Sequence, residues 1–317
     1  MTTEEYLYTY PQESVLLLDS GRPDLRLATS GGVTSTGLAP HPWFFDGFVE
    51  HAEVVAAAML VVARVARTRF YTPPNMVAAI IRAADPLVTS NGDRLRFESL
   101  SPCCGVYCRL DVLPDGLDQP PRDSGTTNVD FHSPMRDALS RVVGLDPMHL
   151  AVGESEVRVT TLDASAVERR VPLPKRWVKG LAEVHVAATG LAQRAAYPAA
   201  QVRRFLTTAP RAAQRGAVFA VAAGAGLRLT GRPDATAVPI AGLDRLRVIE
   251  PVLRHAQTVR GYAGPALAEE ASGWDLDLPG ARLSLMLSPS PSRGFSGEGG
   301  VLLALGNAEA AADAALF

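Results

Sequence analysis

The sequence predicts an α+β fold of mixed, mainly antiparallel sheets with packed helices, and three observations carry that expectation. Turn signals sit between short alternating runs near 86–113, 156–171 and 274–287, the pattern of β-hairpins. Alanine-rich or proline-initiated stretches such as Val49–Arg67, Ser133–Val143 and Pro174–Gly190 have the composition of helices. The two element types are mixed without the regular βαβ alternation that a doubly wound sheet requires.

Residues 1–50 are rich in Gly, Pro, Ser and aromatics and read as irregular structure with short strands, followed by the Gly-free helix Val49–Arg67. Asn91-Gly92 separates two alternating runs between Pro86 and Ser99, and Val106–Leu113 alternates again as a third strand. Ser133-Pro134 starts the next helix, since serine caps orphan amides and proline tolerates the first helical position. Glu156–Leu162 and Val167–Val171 form a hairpin around Asp163-Ala-Ser. Helices follow at Pro174–Gly190 and Tyr197–Thr207, the latter with Arg203 and Arg204 on its polar side. The Pro/Arg/Gly punctuation at Ala209–Gly216 marks a boundary between an α+β domain over 1–210 and a smaller one over 217–317. The second contains strand Ala217–Ala223, helix Leu243–His255, strand Thr258–Tyr262 and the hairpin Trp274–Leu278 with Ala281–Leu287. No repeat of fixed period is visible.

With 47% hydrophobic residues, 20% charged residues and a net charge of −2, the 317-residue chain is outside the disordered and collagen-like classes. Near-neutrality and a pI near 6.3 remove the sequence-wide basicity of a dedicated duplex-binding domain. Lys175 and Lys179 are the only lysines among 31 basic residues; with alanine also abundant, the arginine excess fits GC-rich coding. The acidic start Met1-Thr-Thr-Glu-Glu-Tyr has no basic n-region. The apolar runs Val54–Ala63 and Ala217–Leu227 are too short to span a bilayer. A cytoplasmic location is expected, and the odd count of three cysteines suits a reducing compartment.

The chemistry-bearing motifs are few. Asp19-Ser20-Gly21 and Asp123-Ser124-Gly125 have the form of an aspartic-protease pair. However, Arg22 stands where a hydroxyl residue belongs and Pro120-Pro121 precedes the second triplet, so both read as turns. Cys103, Cys104 and Cys108 lack the second Cys/His pair of a zinc site, and the histidines are scattered. Cys108, in register with Val106 and Leu110, reads as core, which leaves Cys103 and Cys104 as thiol candidates needing a helix N-terminus or a cationic neighbour such as Arg109. Arg293-Gly294-Phe295-Ser296-Gly297-Glu298-Gly299 is a glycine-rich turn able to bind an anion or a partner, though its spacing is neither a dinucleotide nor a Walker loop. Trp43 and Phe44 beside Phe45 are either an anchor for a partner or a core cluster. Thr29-Ser30-Gly31-Gly32 is a further turn. Arg203, Arg204, Arg211 and Arg215 are the basic residues open to a nucleic-acid role.

Several phrases taken together carry a family resemblance. They are Leu27-Ala-Thr-Ser-Gly-Gly-Val-Thr34, His41-Pro-Trp-Phe-Phe-Asp-Gly-Phe48, Asp93-Arg-Leu-Arg-Phe-Glu-Ser99, Cys103-Cys-Gly-Val-Tyr107, Gly125-Thr-Thr-Asn-Val-Asp130, Val171-Pro-Leu-Pro-Lys-Arg-Trp177 and the stretch from Ser288 to Gly299. The set resembles the N-terminal region of bacterial, largely actinobacterial, SWIM zinc-finger proteins. The family's zinc ligands form a later Cys-x-Cys…Cys-x-His motif. No cysteine follows Cys108, so zinc is expected only in longer members, no metal or cofactor is expected here, and the chain is expected to end before the finger. The resemblance implies a non-catalytic adaptor with a MoxR-like AAA ATPase or a von Willebrand A protein as partner. The alternatives from the residues are a hydrolase or thiol enzyme using Asp19/Asp123 or Cys103/Cys104, and nucleic-acid binding through the arginines.

Overall fold

The computed structural model describes residues 15–19, 22–26, 32–34, 37–39, 43–70, 86–173, 175–210, 217–224, 226–290 and 294–295, with the first four segments and residues 175–176 described as backbone alone. The α+β expectation is met, and every strand pair among these residues is antiparallel. Two small hairpins come first, β1 (Val15–Asp19) with β2 (Arg22–Arg26) and β3 (Gly32–Thr34) with β4 (Gly37–Ala39).

The body is built from a topology used twice. The first unit runs β5 (Trp43–Phe48), α1 (Ala52–Arg67), β6 (Leu87–Asn91), β7 (Leu95–Leu100), β8 (Val106–Val112), β9 (Ser124–Asn128), α2 (Ser133–Ser140), β10 (His149–Gly153), β11 (Glu156–Thr160) and β12 (Ser165–Arg169). After α3 (Lys175–Thr189), the second runs β13 (Ala192–Pro198), α4 (Ala199–Thr208), β14 (Phe219–Ala223), β15 (Gly226–Thr230), β16 (Val238–Pro239), α5 (Leu243–Leu246), a 3-10 turn over Arg247–Val252, β17 (Thr258–Ala263), β18 (Ser272–Leu278) and β19 (Ala281–Leu287). The sheet order β12-β11-β10-β5 of the first unit is repeated as β19-β18-β17-β13 in the second, and β7-β6-β9 is repeated as β15-β14-β16. β8 alone has no counterpart. It pairs with β19, so the two units share one eight-stranded sheet, β13-β17-β18-β19-β8-β7-β6-β9.

The boundary expected at 209–216 falls between two elements of the second unit, and β13, which precedes it, pairs with β17, which follows it. That segment separates α4 from β14 in the chain. The repeat escapes a search for fixed period because the units differ in length and, among the described residues, the second has no strand equivalent to β8.

The shared sheet is apolar toward the helices. Val106, Cys108, Leu110 and Val112 of β8 alternate onto one face with Leu283, Leu285 and Leu287 of β19, and α1 seats Val55, Met59 and Val62 against them. On the other face Leu100, Tyr107 and Met286 pack with Trp177 and Val184 of α3. Burying each large aliphatic side chain stabilises the fold by about 1.5–3 kcal/mol. All five strands expected near 86–113 and 156–171 are present within a few residues, as β6, β7, β8, β11 and β12. The helix expected to reach His255 instead tightens after Leu246 into the 3-10 turn, because Pro251 has no amide to continue an α-helical ladder. Strands β9, β10, β13, β15 and β16 were not anticipated. Among the described residues no helix is long and apolar enough to cross a membrane.

Candidate nucleic-acid interface

On one face of the sheet α1 touches α2 on one flank and the 3-10 turn Arg247–Val252 on the other, and that turn touches α4, while α3 packs on the opposite face. The apolar faces of α1 and α4 turn inward, so their outward stripes are what the layer offers to solvent. On α1 the stripe is Glu53, Ala57, Leu60, Arg64 and Arg67, spaced three or four residues apart. Arg64 and Arg67 occupy its last turn, where cations favour the negative end of the helix dipole. On α4 the outward residues are Arg203, Arg204, Thr207 and Thr208, and Arg141 follows the last residue of α2.

A groove of about 540 Å³ runs between α1, α4 and the 3-10 turn, lined by the apolar Ala57, Leu60, Val61 and Pro251 and by Arg64, Arg203, Arg254 and Glu250. Arg254 is paired with Glu53 at 3.0 Å and Arg247 with Glu250 at 3.1 Å. Arg64, Arg67, Arg141, Arg203 and Arg204 are exposed and have no carboxylate partner among the described residues.

The opposite face of the large sheet is charged too, but there the charges cancel. Across neighbouring strands the register reads Arg96, Asp111, Arg282, Asp277, and one step along it reads Glu98, Arg109, Ser284, Asp275, Arg260. Asp111 accepts from Arg96 Nε at 2.7 Å and lies 2.9 Å from Arg109 Nε, while Asp277 is bidentate to Arg260 and 3.5 Å from Arg282. Opposite charges facing each other across strands stabilise a sheet and leave little net field. The two faces thus differ: one is neutralised strand by strand, the other carries arginines in excess.

No protein-family model and no curated protein matches the chain. Solved structures do match. The crystal structure of proliferating cellular nuclear antigen (PCNA) from Entamoeba histolytica covers 78% of this chain and 98% of its own, with a TM-score of 0.51 at 9% identity. The PCNA2-PCNA3 complex from Sulfolobus tokodaii covers 78% of this chain and 100% of its own, with a TM-score of 0.52 at 12% identity. The chain has the PCNA fold. At these identities the likeness is one of fold.

Within the PCNA-like frame the sequence-derived candidates separate clearly. Trp43 and Phe44 sit half-buried on β5: the Arg158 guanidinium stacks 5.3 Å over Trp43, and Phe44 presses on Gly125, where an added Cβ would lie 2.1 Å from the ring. Gln119, Arg122 and Asp118 donate to backbone carbonyls of β5 and cover that edge. Asp123 is exposed and its Oδ1 accepts from the Ser124 amide at 2.8 Å, which is turn geometry; Asp19 ends β1, and its side chain lies outside the described residues. Phe295, expected on a partner-binding loop, is instead 1% exposed in the cluster of Trp177 and Met286. An added Cβ on its neighbour Gly294 would lie 3.1 Å from Cys104 O. Gly294 and Cys104, read separately from sequence, are therefore neighbours.

Arg293, Gly297, Arg211, Arg215, the turn Thr29–Gly31 and the expected terminal helix 308–316 lie outside the described residues. Cys108 is core as expected, and burial pushes its thiol far up. Among the described residues no group of three or more His, Cys, Asp or Glu could hold a metal ion. Sequence reading did not single out Arg64 and Arg67, although their spacing on one helix face was the available signal.

Proposed function

We propose that the chain is a non-catalytic scaffold that holds the phosphate backbone of a nucleic acid on its helix layer while other surfaces engage protein. The observation that carries this reading is the excess of unpaired arginine on the helices of a chain whose net charge is −2 and whose opposite face cancels its own charges. Guanidinium groups donate in a planar fork to two phosphate oxygens, and each neutralised phosphate releases condensed counterions, so five such groups favour a polyanion over a small ligand. No base edge is addressed by this arrangement, so binding is indifferent to sequence. The S. tokodaii neighbour is a complex of two PCNA chains, which supports placing this fold in an assembly.

The protein partner in this reading is a MoxR-like AAA ATPase or a von Willebrand A protein, as the SWIM resemblance implies; zinc enters only with a finger carried by longer relatives. The test is anisotropy of a labelled duplex at low salt with the wild type, with Arg64→Glu/Arg203→Glu and with Arg169→Glu on β12. Loss of at least tenfold in affinity for the helix variant alone supports the proposal. Equal affinity of all three proteins contradicts it.

A further inference from the structure

The loop Ser101–Gly105 joins β7 to β8 and is held from three sides. Ser101 N donates to Val106 O at 2.8 Å and Cys104 N to Ser101 O at 2.7 Å, closing a tight turn. The Ser101 hydroxyl accepts from the Gly105 and Val106 amides and lies 3.3 Å from Cys103 Sγ. Cys104 takes φ +53°, in the left-handed region that residues with a Cβ avoid, and such outliers persist where surrounding structure imposes them. Both thiols are half-buried and reduced, whereas Cys108 is fully enclosed.

Against this loop lies Arg245 of α5, with 0% of its surface exposed. Its Nη1 donates to Ala241 O at 2.7 Å and Ser288 O at 3.0 Å; its Nη2 donates to Gly105 O and to Ser288 Oγ at 2.8 Å. Its buried Nε has no partner, and no carboxylate lies within ion-pair distance among the described residues. A guanidinium removed from water with carbonyls and a hydroxyl as its acceptors is a charge without a counter-charge, which is costly to bury. Burial lowers its pKa to about 10, and Cys103 is the group whose negative form opposes that shift most. Among the described residues Asp244, an exposed carboxylate on the same helix, also favours the cation, and the hydroxyls of Ser101 and Ser288 face the loop.

We propose that Cys103 is a redox-modifiable thiolate, held in its charged form by the buried Arg245 guanidinium, with the adjacent Cys104 thiol resolving its oxidised form. The oxidant class is a hydroperoxide. The Cys103 thiolate attacks the terminal peroxide oxygen, an S–O bond forms as the O–O bond breaks, sulfur loses two electrons and the peroxide leaves as hydroxide or alkoxide. Cys104 sulfur then displaces the hydroxyl of the Cys103 sulfenic acid, forming an S–S bond between neighbouring residues, with the Cys104 proton and that hydroxyl leaving as water. Because Gly294 packs on Cys104 and Phe295 is buried beside it, closing this ring bears on the segment that seats against α3.

The test is native-state alkylation of the whole chain with iodoacetamide from pH 5 to 10, read by peptide mass spectrometry. Cys103 is expected to label at least tenfold faster than Cys104 at pH 7, with a midpoint below the ordinary thiol value of about 8.5, and Arg245→Met is expected to move that midpoint upward. A midpoint at or above the ordinary value in the wild type overturns the proposal whether or not the variant folds. Hydrogen peroxide is expected to make the peptide bearing both cysteines about 2 Da lighter, and Cys104→Ser to stop at a sulfenic acid that dimedone traps. Direct conversion of Cys103 to sulfinic acid in the wild type, with no disulfide, overturns the resolving role of Cys104.

Discussion

Asp111 shows how much of this molecule rests on single side chains. It is 3% exposed and holds Arg96 and Arg109 at once, so Asp111→Asn leaves two partly buried guanidinium groups short of a counter-charge. A loss of about 3 kcal/mol is expected from denaturant unfolding. Gly125 lets β9 pass under Phe44, and Gly125→Ala forces the ring or the strand to move at a cost of about 1–3 kcal/mol, measured the same way. His132 gives a pH signature. Its Nδ1 lies 2.8 Å from Glu168 Oε2, and that bond, aided by Asp130, raises the imidazole pKa above 6.5. A raised folded pKa means stability that is fully present below about pH 6.5 and is lost as pH rises through the folded value. His132 itself is exposed although Glu168 is buried, so the difference between wild type and His132→Gln is expected to be about 0.2–1 kcal/mol at pH 6 and to vanish by pH 9.

Elements differ in how legible they were. The hairpin at Asn91-Gly92 was announced by its turn residues, although Gly92, at φ +81°, and Asp93 form the centre of the turn, while Asn91 pairs with Arg94. α1 and α3 were legible from composition and from the proline before α3. Strands β9 and β13 were hidden because Ser124-Gly125-Thr126 is equally good turn chemistry and Ala192–Pro198 has helix-forming alanines; cross-strand partners at β6 and β17 decide both. The candidate interface was half legible. Arg203 and Arg204 could be placed on a polar helix face, but nothing in the sequence brings Arg64 to the far wall of the same groove, and the partner of Cys103 lies about 140 residues away on α5. Polar networks of this kind are set by tertiary packing, to which local pattern is blind.

For the whole molecule, the pairing of β8 with β19 is the decisive contact, because it merges two like units into one sheet. A chain divided at 209–216 would unfold in two steps. The shared sheet predicts one cooperative transition, with thermal unfolding followed by near-UV and far-UV circular dichroism giving coincident midpoints. Leu285→Ala, at that seam and fully buried, is expected to lower both together by destabilising the fold by about 2–5 kcal/mol. The division of charge between a neutralised sheet face and an arginine-bearing helix layer is likewise a property of the assembled molecule. The measurement that tests it most directly is the salt dependence of duplex binding. The account predicts that the logarithm of the association constant falls linearly with the logarithm of salt concentration. The slope should be about −0.9 for each phosphate held, near −4 to −5 for the five unpaired arginines, and shallower by about one for each arginine replaced. A slope near zero, or one unchanged when Arg64 and Arg203 are reversed, would contradict it.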